Sequence, residues 1–148
     1  MRTFTITKEH LDSNNNYIGK ENLENFDGHL KSSGGLGLIK FAKNLFVKGL
    51  IIFKAGDSIK AGYSIEAGGS IEAKLEISCK LRIFAGICSW KIPTIDEMKI
   101  ICGKLTSGTI AFGNLIETGL PKIESAPNMS GKTVKVEIDG VKYEAVIR

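Results

Sequence analysis

The stretch IKAGYSIEAGGSIEAK, from Ile59 to Lys74, decides the fold. It says one phrase three times: an isoleucine, a charged residue and an alanine, twice followed by Gly, one further residue and Ser. The phrase belongs to a longer series. Stepping by six from Phe41 reaches Val47, Phe53, Ile59, Ile65, Ile71, Ile77 and Ile83, all apolar, and the stretch closes at Cys88. Two residues after each lies a second column: Lys43, Gly49, Ala55, Ala61, Ala67, Ala73, Cys79 and Ala85, seven of the eight small. The residue between is usually polar, as at Lys54, Lys60, Glu66, Glu72 and Ser78. Apolar–polar–small is the period-2 signature of a short strand with one face inward. The following GYS or GGS supplies turn-formers.

A strand of two or three residues buries nothing alone, but stacked coils bury the isoleucine column. The spacing therefore predicts an all-β fold, a short β-solenoid of stacked six-residue repeats. With three units per coil, residues eighteen apart stack. Ile59 then lies over Ile77, Ile65 over Ile83, and Lys54 stands beside Glu72. Antiparallel hairpins that keep the same beat are the competing arrangement. A helix is excluded, because period six does not match 3.6 and Gly56, Gly62, Gly68 and Gly69 would each cost about 1 kcal/mol there. In acetyltransferase hexapeptide repeats the small residue comes two before the aliphatic one; here it comes two after, so the handedness of the coil stays open.

Length, composition and charge bound the rest. A chain of 148 residues fits one domain with a real core. Seventeen glycines against three prolines indicate tight turns and not a disordered linker. Residues 1–40 read as N-terminal strands and loops, with TFTIT a strand, a helical turn capped by Thr7, and SNNNYIGKEN a polar loop. Residues 41–88 form the repeat core. Residues 89–132 read as irregular: SWKIPTIDEMK a polar excursion, IICGKL and TIAFGNLIETG two strands. Residues 133–148, TVKVEIDGVKYEAVIR, predict a C-terminal β-hairpin. Val134, Val136 and Ile138 alternate into Asp139-Gly140, and Val141, Tyr143, Ala145 and Ile147 alternate out. A lone hairpin is marginal in water, so this one is expected to dock on the repeat core or to serve as a dimer arm through Val134, Val136, Ile138, Val141 and Tyr143. No apolar leader opens the chain and no run is long enough to cross a bilayer, so a cytoplasmic protein with no membrane partner is expected.

Catalytic constellations are sparse. The two histidines, His10 and His29, sit in no metal-ligand spacing. Three cysteines without C-x-x-C spacing read as free thiols in a reducing compartment, with Cys79 in the small inward column. SGGLGLI lacks the last glycine of the dinucleotide pattern. SGKT at Ser130–Thr133 has Ala126 where a phosphate loop needs glycine. No metal or cofactor is expected, and the chain is expected not to be an enzyme. The net charge of +4 permits an acidic partner without requiring one. Lys43, Lys48, Lys54 and Lys60 fall in the repeat and could form one positive stripe toward a phosphate backbone or an acidic protein face, with a nucleic-acid partner the less favoured. Trp90, the lone tryptophan, either caps the open end of the core or anchors a partner.

The tract AGDSIKAGYSIEAGGSIEAKLEISCKLRIFAGICSW is similar to a tract in small prophage proteins of low-GC Gram-positive bacteria, which also carry AGGSIEAG-type hexads and a terminal VKVEIDG hairpin. The resemblance covers about residues 41–90 and 133–148. It implies a non-enzymatic inhibitor of a bacterial defence system, anti-CRISPR-like, that masks a surface of a CRISPR-Cas protein or complex inside the bacterial host. The tract is more loosely similar to the bactofilin family, which implies a self-assembling scaffold. This chain differs from that family in its fewer coils and non-repetitive C-terminal third. Because the end coils expose unpaired strand edges, which recruit other strands unless blocked, a homo-oligomer is expected, with a dimer favoured.

Overall fold

The structure is a computed structural model and describes residues 1–120, 133–138 and 141–146. The chain is all-β. Ten strands share one sheet in which the strands pair in parallel, and two more form a separate antiparallel pair. β1 (Thr3–Ile6) opens the chain. β2 (His29–Ser32), β3 (Gly37–Phe41) and β4 (Leu45–Val47) make one pass; β5 (Ile51–Phe53), β6 (Asp57–Ala61) and β7 (Ile65–Ala67) make the next. The third pass is the single strand β8 (Ile71–Ala85) and the fourth is β9 (Lys99–Phe112), after which β10 (Asn114–Glu117) begins another.

Parallel pairing sorts these strands into three ladders. One runs β1-β2-β5-β8-β9-β10 through the starts of the two long strands. The second joins β3, β6 and the middles of β8 and β9. The third joins β4, β7 and their ends. Each long strand thus serves all three ladders and bends between them. Alternation aims one side chain in two at the shared interior. The first inward column of each ladder is aliphatic: Leu30–Ile51–Ile71–Ile100, Ile39–Ile59–Ile77–Leu105 and Leu45–Ile65–Ile83–Ile110. Ile65 and Ile71 are wholly buried, as are Ile51, Ile59, Ile77 and Ile83.

Ile59 pairs with Ile77 and Ile65 with Ile83, eighteen residues apart. Earlier in the chain the step is twenty: Ile39 pairs with Ile59, Leu45 with Ile65 and Ile51 with Ile71. The extra two residues sit at one corner, because the chain advances eight positions from Ile51 to Ile59 but only six from Ile71 to Ile77. This shift corrects the six-step column. Phe41, Val47 and Phe53 belong to the second inward column, opposite Ala61, Ala67 and Ala73. Lys43 and Ala55 are exposed at corners and not in the small column. Glu72 pairs with Ile52 and not with Lys54, and its carboxylate takes the Lys74 ammonium at 2.7 Å. The second column runs from Phe and Val to Ala and Cys, so the interior narrows as the passes shorten.

The widened corner is filled from within. Asp57 is fully buried, and its carboxylate accepts the Ser32 hydroxyl and the backbone N–H groups of Gly34, Leu36 and Gly37. Ser32 Oγ in turn accepts the N–H of Lys54 at 2.8 Å. Buried charge persists only with such a full set of donors.

Below, residues 7–28 close the stack. A 3-10 turn at Lys8–His10 follows Thr7, whose N–H donates to His10 Nδ1 at 3.0 Å, so the capped turn expected there is present. Leu23 and Phe26 are buried, Phe26 bridges to Val47, and Tyr17 tilts onto Phe41 with ring centres 5.7 Å apart. Above, β9 fuses what reads as two strands in sequence, and Gly113 at φ +115 separates it from β10. β11 (Thr133–Ile138) and β12 (Val141–Val146) pair antiparallel from Ile138↔Val141 to Thr133↔Val146, the register a two-residue turn requires. The turn at 139–140 lies outside the described residues, as do Ile147 and the side chains of Val134, Val136, Ile138, Val141 and Tyr143.

Candidate binding surface

The glycine-rich loop has no free cradle. A run of N–H groups in left-handed backbone is an anion nest, and Gly34, Gly35 and Gly37 all have positive φ. The N–H groups of Gly34, Leu36 and Gly37 already point at Asp57. The chain's own carboxylate holds the place a phosphate would take. Ser130, Gly131 and Lys132 of the SGKT tetrapeptide lie outside the described residues.

Among the described residues no group of three metal-ligating side chains comes together. Cys79 and Cys102 are buried, and burial pushes both thiols up, Cys102 to about 11 with Glu117 adding to the effect. Such thiols are poor nucleophiles. Cys88 is half-buried and its Sγ donates to the Lys91 carbonyl at 3.0 Å. No helix among the described residues is long and apolar enough to cross a membrane.

The four lysines singled out from sequence do not form one stripe. Lys43, Lys48 and Lys54 occupy three successive corners, after β3, β4 and β5, while Lys60 stands on the outer face of β6. One of them does meet Trp90. Lys48, His29, the Gly49-Leu50 and Gly68-Gly69-Ser70 corners, Trp90 and Glu97 line a cleft of about 270 Å³. Glycine builds its floor. A Cβ on Gly68 would stand 1.9 Å from the Lys48 carbonyl oxygen, and one on Gly49 would stand 2.3 Å from His29 Nδ1. The Leu50 N–H donates to that same Nδ1 at 3.0 Å, and burial, then the N-terminal ammonium and Lys31, hold the His29 pKa below its usual value.

The cleft's outer wall is the excursion between β8 and β9. Polar contacts hold it to itself. Thr94 N–H donates to Glu97 Oε2 at 3.0 Å, Glu97 N–H returns to Thr94 Oγ1 at 3.3 Å, and Lys91 pairs with the Glu97 carboxylate. That pairing, with the Thr94 N–H, keeps the Glu97 carboxyl below the ordinary range. A short 3-10 turn, Asp96–Met98, leads back into the sheet. Held this way, the excursion turns its apolar residues outward: Trp90 is 56% exposed, Ile95 75% and Ile92 91%. Trp90 therefore does not cap the core. Ile92 and Ile95 are the residues the sequence reading missed in a segment taken as polar. Their signal was available, since both are apolar and both lie beyond Cys88, where the six-residue series closes.

No protein-family model matches this chain, and no curated protein or solved structure is significantly similar to it.

Proposed function

We propose that this chain is a short β-solenoid that acts by binding a protein partner on its outer surface and not by catalysis. The parallel return of the chain through Ile39–Ile59–Ile77 and Leu45–Ile65–Ile83, twenty and then eighteen residues apart, supports the architecture. The observation that carries the binding reading is the cluster of Trp90, Ile92 and Ile95, three large apolar side chains exposed on one self-braced excursion beside Lys48. Exposed apolar patches rimmed by charge mark contact sites, and tryptophan is the residue most enriched at their energetic centres. The resemblance to prophage proteins makes a CRISPR-Cas protein or complex the proposed target, masked stoichiometrically in the cytoplasm of a bacterial host.

Titration of the target with the protein tests this. Inhibition should rise until the two are equimolar and then level off. Trp90→Ala with Ile92→Ser should weaken binding at least about 30-fold, the order of a hot-spot loss of 2 kcal/mol or more. One copy disabling many targets would sink the binding reading. A second reading, a self-assembling scaffold, is favoured by the β10 end of the stack, where among the described residues β10 is exposed throughout, Leu115 and Ile116 included. Light scattering that finds polymers growing with concentration would support it.

A further inference from the structure

The corner between the second and third ladders carries a notch that the proposed protein interface does not use. In the third pass the chain turns this corner with Cys79, Lys80 and Leu81 before Arg82. In the fourth pass it cuts the corner. Ser78 pairs with Ser107 and Arg82 with Thr109, so Gly108 alone crosses where three residues stand below it. Only glycine fits, because its φ is +108 and a Cβ there would stand 2.5 Å from Cys79 Sγ. The shortcut leaves a cleft of about 470 Å³ lined by Lys60, Gly62, Ser78, Lys80, Ser107 and Gly108.

The charge at this notch has one sign. The corner and its approaches, residues 40–44, 60–64 and 78–82, contain Lys40, Lys43, Lys60, Lys80 and Arg82 and no aspartate or glutamate. Among the described residues none of these five cations makes an ion pair. The two earliest have acidic neighbours: Lys40 lies near Asp12, whose carboxyl is held low first by hydrogen bonds from Asn16 and in small part by Lys40, and Lys43 shares a cleft with Glu21 and Glu24. Lys60, Lys80 and Arg82, all exposed, are the uncompensated ones. Hydroxyl groups stand between them. Ser107 Oγ donates to the Cys79 carbonyl at 3.0 Å, and Ser78 Oγ reaches the Ile59 carbonyl only at 3.5 Å, so it is released cheaply. One residue along, Tyr63 lies 45% exposed on the same corner, its N–H held by the Lys43 carbonyl and its carbonyl by the Leu81 N–H.

The geometry points to a binding site for single-stranded nucleic acid at this notch, with phosphates taken by Lys60, Lys80 and Arg82 and one base stacked on Tyr63. Lys80 and Arg82 lie on one pass and Lys60 on the pass beside it, about 4.8 Å away, so the three cations gather around one corner, within the span of a few successive phosphates. Two ammonium groups and a guanidinium supply charge, the serine hydroxyls supply neutral hydrogen bonds, and the fixed tyrosine supplies a face any base can stack on. An acidic protein surface would want a broader apolar anchor than Tyr63 and Leu81 provide.

The test is fluorescence anisotropy of a labelled 20-mer of deoxythymidine against the full chain from 50 to 300 mM salt. Three phosphate contacts predict a log–log salt slope near −2. Lys60→Glu with Lys80→Glu should weaken binding at least about 10-fold and flatten the slope by more than 1, since each lost contact removes about 0.7. Tyr63→Ala should weaken it about 5- to 150-fold, the loss of one stacked base, with the slope unchanged. Thermal melts confirm that the variants fold, and Lys60→Gln with Lys80→Gln repeats the measurement without added negative charge. Trp90→Ala should leave oligonucleotide binding intact, which separates this site from the protein-binding reading. Absence of binding at 50 mM salt overturns the inference, as does wild-type affinity in the double lysine variants. Equal competition by inorganic polyphosphate overturns the base contact, and equal competition by polyglutamate overturns the nucleic-acid assignment in favour of an acidic protein.

Discussion

At the scale of single residues, Asp57 is the one buried carboxylate among the described residues and ties two passes together. Truncating it leaves the N–H groups of Gly34, Leu36 and Gly37 and the Ser32 hydroxyl without their acceptor. Asp57→Ala should therefore cost about 2–4 kcal/mol in urea melts, as unsatisfied buried donors do. A loss below about 0.5 kcal/mol would mean the corner holds itself. His29 gives a dependence on pH. Its Nδ1 accepts from Leu50 only while the ring nitrogen is unprotonated, and its folded pKa lies below the unfolded value near 6.5. The unfolded chain therefore takes up the proton first as pH falls. Stability is fully present above about pH 6.5 and declines from there down toward the folded pKa. His29→Asn keeps an acceptor for Leu50 and removes the titration, so its melts at pH 7.5 and pH 5.5 should differ less than those of the wild type. An equal difference in both proteins would assign the pH response to other groups.

At the scale of elements, the glycine–serine phrase serves shape. Gly62 and Gly68 recur six residues apart, and a Cβ on either would press into a carbonyl of the preceding pass, Ala42 at 2.0 Å and Lys48 at 1.9 Å. Gly69, next door, would meet nothing nearer than Leu50 Cβ at 3.4 Å. Gly68→Ala should thus destabilise by about 1–3 kcal/mol, as forced overpacking does, while Gly69→Ala stays within about 0.5 kcal/mol of wild type. Equal effects in chemical melts would show that corner stacking does not constrain the phrase. This geometry also explains what could be read in advance. The pairing of Ile59 with Ile77 and of Ile65 with Ile83 was legible, because six-residue units are regular from Ile59 onward. The phase of Phe41, Val47 and Phe53 was not, because each is apolar and buried in either column, and only the two-residue excess before Ile59 tells them apart. The lysine stripe failed for a related reason. Successive corners point in different directions, so nearness in sequence separates Lys43, Lys48 and Lys54 in space, whereas Lys60 and Lys80, twenty apart, line one notch.

At the scale of the whole molecule, the two ends differ. Residues 7–28 cover the lower end with Leu23 and Phe26, while among the described residues the upper end presents β10 and the exposed Phe112, Leu115 and Ile116. An uncovered strand edge with apolar neighbours recruits another strand. A dimer joined through this end or through the 133–148 hairpin is the expected state, to be read as twice 16.0 kDa by light scattering at micromolar concentration. A monomer whose mass is unaffected by removing residues 133–148 would rule out both routes. Length and topology leave one more matter, which concerns how the chain finds its own threading. Strands that repeat a phrase every six residues can be laid one unit out of place with isoleucine still over isoleucine, so hydrophobic burial alone barely distinguishes the correct alignment from its neighbours. The Ser32–Asp57 contact has no counterpart one unit away, since Ile51 and Tyr63 occupy the positions six before and six after Asp57. That single buried carboxylate is then a key cut for one lock: it proofreads the winding of the chain, and a protein lacking it should refold in several phases, sorting among misaligned copies of the same core.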